Sequence, residues 1–357
     1  MSLAPPVLHA LAWPGELSGA IRSMEESLAA LRTSGVDARA WLAVSSEDGA
    51  PEAVRRLERR GIPVTVRQAR VWLAPRAIAG LRRSIAALGP GAVLHTHGER
   101  ALLWGRAAAR LAGAAHVHTQ HGFVSEDPRG ARRVRVAKQL VGGLSALVAV
   151  DESTSGGLSH ARVVPNCLDA ASFREEAQDR EAVRAELGLE PQTPCCLFMG
   201  RLSPEKGADL LAVLQGQLQV RSKTARLFVA GTGPLALGAS VISALTLLGA
   251  RSDAASLLGA ADVLLMPSRS EGLPMVALEA AAMATPVVSF PAGGLADSGL
   301  AACVPAGDAD VLIKTALGLV ADPDLRAERL QLSAARLVDR FGPAAHSRAL
   351  LRLYETL

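Results

Sequence analysis

The sequence predicts an α/β protein built from two doubly wound, mostly parallel sheets. Short apolar runs alternate with amphipathic segments along nearly the whole chain, the pattern of strands separated by crossover helices. The alternation breaks once, over the polar, helix-prone Asp169–Glu190 segment, and then restarts. At 357 residues, the chain is also longer than a single hydrophobic core usually organises.

The elements follow in order. After Gly19, residues Ile21, Met24, Leu28 and Leu31 fall three and four apart, as on one helix face. VDARAWLAV reads as a strand, Val54 and Leu57 open a helix, and IPVTV is the next strand. Ile78, Leu81, Ile85 and Leu88 have helical spacing, AVLHTH is strand-like, and a helix runs through Leu102, Leu103 and Leu111. HVHTQ is a strand, a basic helix is expected near Arg132, ALVAV follows as a strand, and RVVPN closes the half. Asp169–Glu190 reads as the linker region. The second half then runs CCLFMG strand, helix from Pro204, RLFVAG and SALTLLG strands, helix over Asp253–Gly259, DVLLMP strand, helix from Pro274, and PVVSF strand. The end is helical through Arg326, Leu330, Leu337, Leu350 and Leu353. Open parallel sheets bind ligands beyond the carboxyl ends of their strands, and two such sheets place the expected site in a cleft between them.

Composition narrows the class. Hydrophobic residues make up 49% and charged residues 20%, which excludes a disordered chain. Cys167, Cys195, Cys196 and Cys303 form no Cys-x-x-Cys pair; they read as buried, reduced thiols in a reducing compartment. Met1–Leu17 lacks a basic start and a long apolar core, so no signal peptide is expected. Leu227–Ala250 carries no charge and is long enough to span a bilayer, but its glycines and Pro234 break it into strand, turn, short helix or loop, and strand. Residues 1–168 hold 21 basic and 13 acidic side chains, a net of +8, against −4 for the rest, so the halves are expected to face different partners.

Two stretches carry chemistry. GRLSPEKG puts Arg201, Ser203, Pro204, Glu205 and Lys206 just past a strand. Ser203 suits a helix N-cap and Pro204 the first helical position. Lys206 would then sit in a first turn, where a cation is disfavoured unless an anion is bound. Arg201, Lys206 and free backbone amides would converge as a diphosphate requires. RSEGLPMVALEA follows ADVLLMPS and holds Glu271 in a loop and Glu279 in the second turn of a helix starting at Pro274. Carboxylates set beside an anion site can accept hydrogen bonds from sugar hydroxyls. Either stretch alone also fits solvated surface charges. GTGP lacks the third glycine of a dinucleotide loop. Asp308 and Asp310 resemble a metal-binding pair but sit at a helix start, where capping is expected. His95, His97, His118 and His121 lie close in sequence without completing a recognised metal spacing.

Together, EGLPMVALEA after DVLLMPS, GRLSPEKG, VVPN, SGAIR, the HG of TQHGF and GARSD resemble, in order and spacing, the motifs of retaining glycosyltransferase family 4, glycosyl transferases group 1. The resemblance covers nearly the whole chain. It implies the GT-B fold, with two Rossmann-like doubly wound domains facing a central cleft. Residues 1–168 would bind the acceptor and 169–342 the nucleotide-sugar, and a C-terminal helix at about 343–357 would pack back on the first domain. It implies a metal-independent hexosyltransferase that moves a sugar from a nucleotide-diphosphate donor to a glycan or lipid-linked acceptor in cell-surface polysaccharide or glycolipid synthesis, with no cofactor and no nucleic acid. By the same resemblance Arg201 and Lys206 bind the diphosphate, Glu279 the ribose and Glu271 the transferred sugar. Gly200, Gly272 and Leu273 bring backbone to the sugar or phosphates, and Arg251, Ser252 and Asp253 help hold the base. His121 lies near the sugar, and Gly19 belongs to a loop allowing close approach to the phosphates. Ser18, Asp151, Cys167 and Thr232 depart from the usual family residues. A nonhydrolysing sugar-nucleotide epimerase and a non-catalytic subunit are the alternatives. The basic first half, with Arg55, Arg56, Arg59, Arg60, Arg82, Arg83, Arg132, Arg133, Arg135 and Lys138, suggests a cytoplasmic protein that docks peripherally on an anionic inner leaflet, or else a merely solvated surface.

Overall fold

The computed structural model describes residues 4–13, 19–44, 51–68, 75–121, 144–155, 161–235 and 245–357. The chain divides into two compact units, Met1–Cys167 with Pro343–Leu357, and Leu168–Gly342.

The first unit holds a parallel sheet of seven strands among the described residues, in the order β3-β2-β1-β4-β5-β6-β7. They are β1 (Val7–Trp13), β2 (Ala38–Val44), β3 (Val64–Gln68), β4 (Val93–His97), β5 (Ala115–Gln120), β6 (Ala146–Ala149) and β7 (Ala161–Val163). Helices α1 (Gly19–Thr33), α2 (Pro51–Arg59), α3 (Pro75–Ala86) and α4 (Glu99–Ala112) connect them. One face packs Val7, Leu11, Val93 and Val117 under Ile21, Met24 and Leu28 of α1. The other packs Leu8, Ala10, Trp41 and Leu94 under Leu81 of α3 and Trp104 of α4. Burial on both faces explains why these strands read as near-continuous apolar runs.

Among the described residues the second unit has six parallel strands in the order β10-β9-β8-β11-β12-β13. They are β8 (Cys195–Met199), β9 (Arg226–Ala230), β10 (Thr246–Gly249), β11 (Val263–Met266), β12 (Val287–Ser289) and β13 (Ala301–Cys303). Its helices are α5 (Ala170–Glu175), α6 (Arg180–Glu186), α7 (Leu211–Arg221), α8 (Ala254–Ala260), α9 (Met275–Ala282), α10 (Ala309–Ala321) and α11 (Pro323–Asp339). A last helix, α12 (Pro343–Tyr354), belongs to the first unit and places Leu350, Leu353 and Tyr354 in its core.

Several expectations need correction. β1, an interior strand of its sheet, and β13 were not anticipated. The supposed linker is packed structure of the second unit: Asp169 and Asp179 cap α5 and α6, and buried Arg184 donates to the carbonyls of Ala260 and Thr193. The arginines of α2 are not all free surface charges. Arg56 and Arg60 turn onto the buried Glu25 and Glu26 of α1, at 3.1 and 2.6 Å, while Arg55, Arg59, Arg82 and Arg83 are exposed. Arg132, Arg133, Arg135 and Lys138 lie outside the described residues, as does Ser18. Cys303 is exposed rather than buried. Among the described residues no helix is long and apolar enough to cross a membrane.

All eight histidines of the sequence fall within the first unit. Burial pushes His9 from its ordinary 6.5 to about 3, with His346 adding to the effect. His118 is pushed to about 3, and burial pushes His116, His121 and His346 to about 4. Such groups bind protons in the unfolded chain before the folded one, so their stabilisation is complete above pH 6.5 and is lost as pH falls toward 4. Each is expected to cost about 1.4 kcal/mol per pH unit inside that window. Amide exchange measured at pH 7 and pH 5 should show the first unit opening selectively at the lower pH. Equal opening of both units would contradict this assignment.

Candidate active site

In the second unit the strand order reverses between β8 and β11, since β9 lies on one side of β8 and β11 on the other. Ligands of doubly wound sheets bind at such a switch point, beyond the carboxyl ends of the strands. GRLSPEKG leaves β8 there and SRSEGLP leaves β11.

The segment after β8 is not a simple helix start. Pro204–Lys206 forms a 3₁₀ turn, Gly207 adopts φ 70, Ala208–Leu210 forms a second 3₁₀ turn, and α7 begins only at Leu211. Ser203 does not cap with its side chain. Instead its carbonyl accepts from the amides of Lys206 and Ala208, and its hydroxyl is fully buried. The predicted position of Lys206 in the first turn of an α-helix is therefore corrected. At Gly207 the chain runs against the segment after β11: a Cβ there would lie 2.0 Å from the Pro267 carbonyl oxygen. The same logic explains GTGP, where a Cβ on Gly231, at φ 139, would lie 1.9 Å from the Gly200 carbonyl oxygen. That glycine serves loop packing against Gly200.

Backbone bonds join the two motif loops. The Glu205 carbonyl accepts from the amides of Arg269 and Ser270 at 2.8 and 3.3 Å. The Arg269 side chain donates to the Pro204 carbonyl and pairs with Asp209, both at 2.6 Å; this guanidinium holds the Asp209 carboxyl below its ordinary range. With the loops so fixed, Lys206 Nζ reaches Glu271 Oε2 at 2.6 Å. Arg201 pairs with Glu205. The Glu271 side chain is only 4% exposed and that of Arg201 is 50% exposed. Among the described residues, Ser203 Oγ, Glu205 Oε2 and Glu271 Oε1 are buried with no hydrogen-bond partner. Buried polar atoms are almost always satisfied, so the unpartnered oxygens of Glu205 and Glu271, one on each carboxylate that holds a cation, stand out.

Pro274 is the N-cap of α9 rather than its first residue, and its side chain makes no capping bond. Glu279 is buried in its second turn and Leu273 is buried before it, while Gly200 and Gly272 are half-buried. Arg251 pairs with Asp253 at 2.6 Å and with Glu186 at 3.1 Å, and its hydrogen bond lowers the Asp253 carboxyl. Ser252 is exposed. Asp308 caps α10 by accepting from Val311 at 3.0 Å, and Asp310 pairs with Arg221.

The remaining two predicted residues lie in the first unit. Gly19 is not in a loop but is the first residue of α1. His121 directly follows β5 and bonds His97, Nε2 to Nδ1, at 3.0 Å. Among the described residues no group of three His, Cys, Asp or Glu could hold a metal; His97 bonds His9 and His121, while His95 bonds Tyr354 and Thr119 and His118 bonds Thr96. Sequence reading missed Glu205, the buried Ser203 hydroxyl, His9 and Tyr354 as parts of these clusters. The Glu immediately before Lys206 was the available signal for the first.

Residues 193–322 match the family Glycosyl transferases group 1, and residues 17–171 match Glycosyltransferase Family 4. The chain is 32% identical over 309 residues to the D-inositol 3-phosphate glycosyltransferase of Frankia alni, covering 73% of each chain. The chain is a family 4 glycosyltransferase. The enzyme of that name from Segniliparus rotundus is 32% identical over 213 residues, 51% of this glycosyltransferase and 47% of its relative, so this match spans about half the relative's length. Among solved structures, the glycosyltransferase resembles Anabaena HepE in complex with UDP-glucose, with a TM-score of 0.81, 21% identity, and coverage of 98% and 100%. Sucrose-phosphate synthase from Thermosynechococcus elongatus gives 0.73 at 17% identity, covering 98% of both chains. These likenesses give the fold as GT-B.

Gly207→Ala is expected to cost at least about 2 kcal/mol, from a strained φ and a clash with backbone that cannot swing away. Gly216→Ala, inside α7 with nothing within 4 Å of the added Cβ, should instead stabilise by about 0.5–1 kcal/mol. Urea unfolding of the two variants checks the contrast.

Proposed function

We propose that this glycosyltransferase transfers a hexosyl group from a nucleoside-diphosphate sugar to a hydroxyl of a glycan or lipid-linked acceptor, with retention of anomeric configuration and without a metal. The observation that carries the reading is the Arg201–Glu205 and Lys206–Glu271 cluster at the β8/β11 switch point, with the unpartnered buried oxygens of Glu205 and Glu271. The names of similar proteins support the donor class: HepE was solved with UDP and with UDP-glucose. The relatives' name, D-inositol 3-phosphate glycosyltransferase, supports a hydroxyl acceptor.

On this reading the half-exposed Arg201 swings onto the diphosphate, and Lys206 bridges from Glu271 to the same anion. The start of α9 and the backbone at Gly272 and Leu273 border the anion. Gly200 lets the backbone come close. A hydroxyl of the transferred sugar donates to Glu271 Oε1 and so satisfies a buried carboxylate oxygen. Glu279 accepts from the ribose, and Arg251, Ser252 and Asp253 border the base. His121 meets the transferred sugar and Gly19 approaches the phosphates, as the family resemblance implies. As the bond from the anomeric carbon to the diphosphate breaks, Arg201 and Lys206 stabilise the negative charge gathering on the leaving group. The acceptor oxygen attacks the same face and passes its proton to a leaving phosphate oxygen, so no carboxylate is needed as a nucleophile. The exposed Arg55, Arg59, Arg82 and Arg83 suit an anionic inner-leaflet surface near a lipid-linked acceptor of polysaccharide or glycolipid synthesis.

Arg201→Ala and Lys206→Ala are each expected to lower turnover by roughly 10²–10³, the usual scale for one preorganised donor at developing charge. Near-normal turnover in either variant removes that residue from the leaving-group role. Turnover in excess chelator should match turnover without it; strict dependence on added Mg²⁺ or Mn²⁺ would overturn the metal-free mechanism.

A further inference from the structure

A row of buried polar rings runs across the first unit's sheet toward His121. In the parallel register His9 lies opposite His95, Leu11 opposite His97, and His97 opposite Thr119. Because side chains alternate, His9, His95, His97 and Thr119 share the face that packs Val7, Val93 and Val117 under α1 and α12. His9 Nδ1 meets His97 Nε2 at 2.9 Å, and His97 Nδ1 meets His121 Nε2 at 3.0 Å. At the far end the Tyr354 hydroxyl of α12 lies 3.5 Å from His9 Nε2 and 2.6 Å from His95 Nδ1, and His95 Nε2 lies 2.6 Å from Thr119 Oγ1.

Proton counting constrains this row. A neutral imidazole has one N–H and one lone pair, and each nitrogen–nitrogen bond needs one proton. Burial keeps His9, His97 and His121 neutral. If His97 donates from Nδ1 to His121, its Nε2 must accept from His9 Nδ1. If it donates from Nε2 to His9, its Nδ1 must accept from His121 Nε2. All three rings therefore carry the proton on the same nitrogen, Nδ1 in one sense and Nε2 in the other. The outer nitrogen of His121, its Nδ1, is a donor in the first sense and an acceptor in the second.

We propose that His97, backed by His9, is a positioning residue for His121: the imidazole row fixes the ring and sets, as one unit, whether His121 donates to or accepts from the transferred sugar. This rests on the reading that His121 meets that sugar.

Long-range proton–nitrogen spectra of protein with nitrogen-labelled histidine read each ring's tautomer. His9, His97 and His121 are expected to share one tautomer, and a mixture among them overturns the proposal without reference to activity. His97→Phe is expected to give His121 a mixed tautomer and to lower kcat about tenfold or more, the scale of losing a reactant's orientation. Its affinity for UDP should stay within about twofold, because ground-state nucleotide binding is a separate interaction. His97→Asn keeps a polar atom where Nδ1 stands and should restore a single His121 tautomer and most of kcat. Wild-type kcat in His97→Phe, where His121→Ala loses turnover, overturns the positioning role. Wild-type kcat in His121→Ala overturns instead the placement of His121 at the sugar.

Discussion

The bond from the amide of Arg269 to the carbonyl of Glu205 is the contact on which the second unit's site depends. It ties the chain leaving β8 to the chain leaving β11 at the one place where the sheet changes winding direction. The pairings between the two loops, Lys206 with Glu271 and Arg269 with Asp209, need that approach. Lys206 can reach Glu271 only if the turn at Pro204–Lys206 lies against the β11 loop. The approach in turn needs a residue without a side chain at position 207. A backbone constraint thus precedes the charge constellation. The charges are then poised rather than spent: each cation rests on a carboxylate that keeps one oxygen without a partner.

The first unit solves a different problem. Its central strands carry imidazoles into an otherwise apolar core, where an unpaired ring would be costly. Bonding ring to ring, and ring to Tyr354 and Thr119, gives His9, His95, His97 and His121 partners without charge. His346 of α12 similarly joins the Pro165 carbonyl to Ser27 of α1, at 2.7 and 2.9 Å. Polar groups contributed by distant segments therefore meet inside one core, and the last helix is bound by specific bonds as well as by apolar packing.

Much of this was readable from the sequence because helix and strand periods differ and parallel strands read as apolar runs. Arg201, Lys206, Glu271 and Glu279 were singled out because two motifs follow strands in the order that the family resemblance gives, since each stretch alone also fits solvated charges. What stayed hidden has identifiable causes. β1 contains His9 and follows two prolines, so an interior strand looked like an irregular start. Asp169–Glu190 looked like a linker because its helices bury few residues and use Arg184 as an internal donor. The close approach of Gly207 to the Pro267 carbonyl was hidden because that carbonyl follows a different strand, far off in sequence. Glu25 and Glu26 gave no sign of burial, since their partners come from another helix.

The second unit is an insertion in the chain of the first, because α12 returns to α1 and the β1–β4 face. A consequence concerns synthesis. Residues 168–342 separate the body of the first unit from its final helix. At the usual pace of translation that stretch takes on the order of 10–35 s to make. Throughout that interval the nascent first unit holds Ser27, His95 and the apolar seat of Leu350 and Leu353 uncovered. The second unit, continuous in sequence, can finish first. Completion of the first unit's core is thereby made to wait on the segment that follows the second unit, and the emerging protein must keep an incomplete, sticky face in solution until α12 arrives.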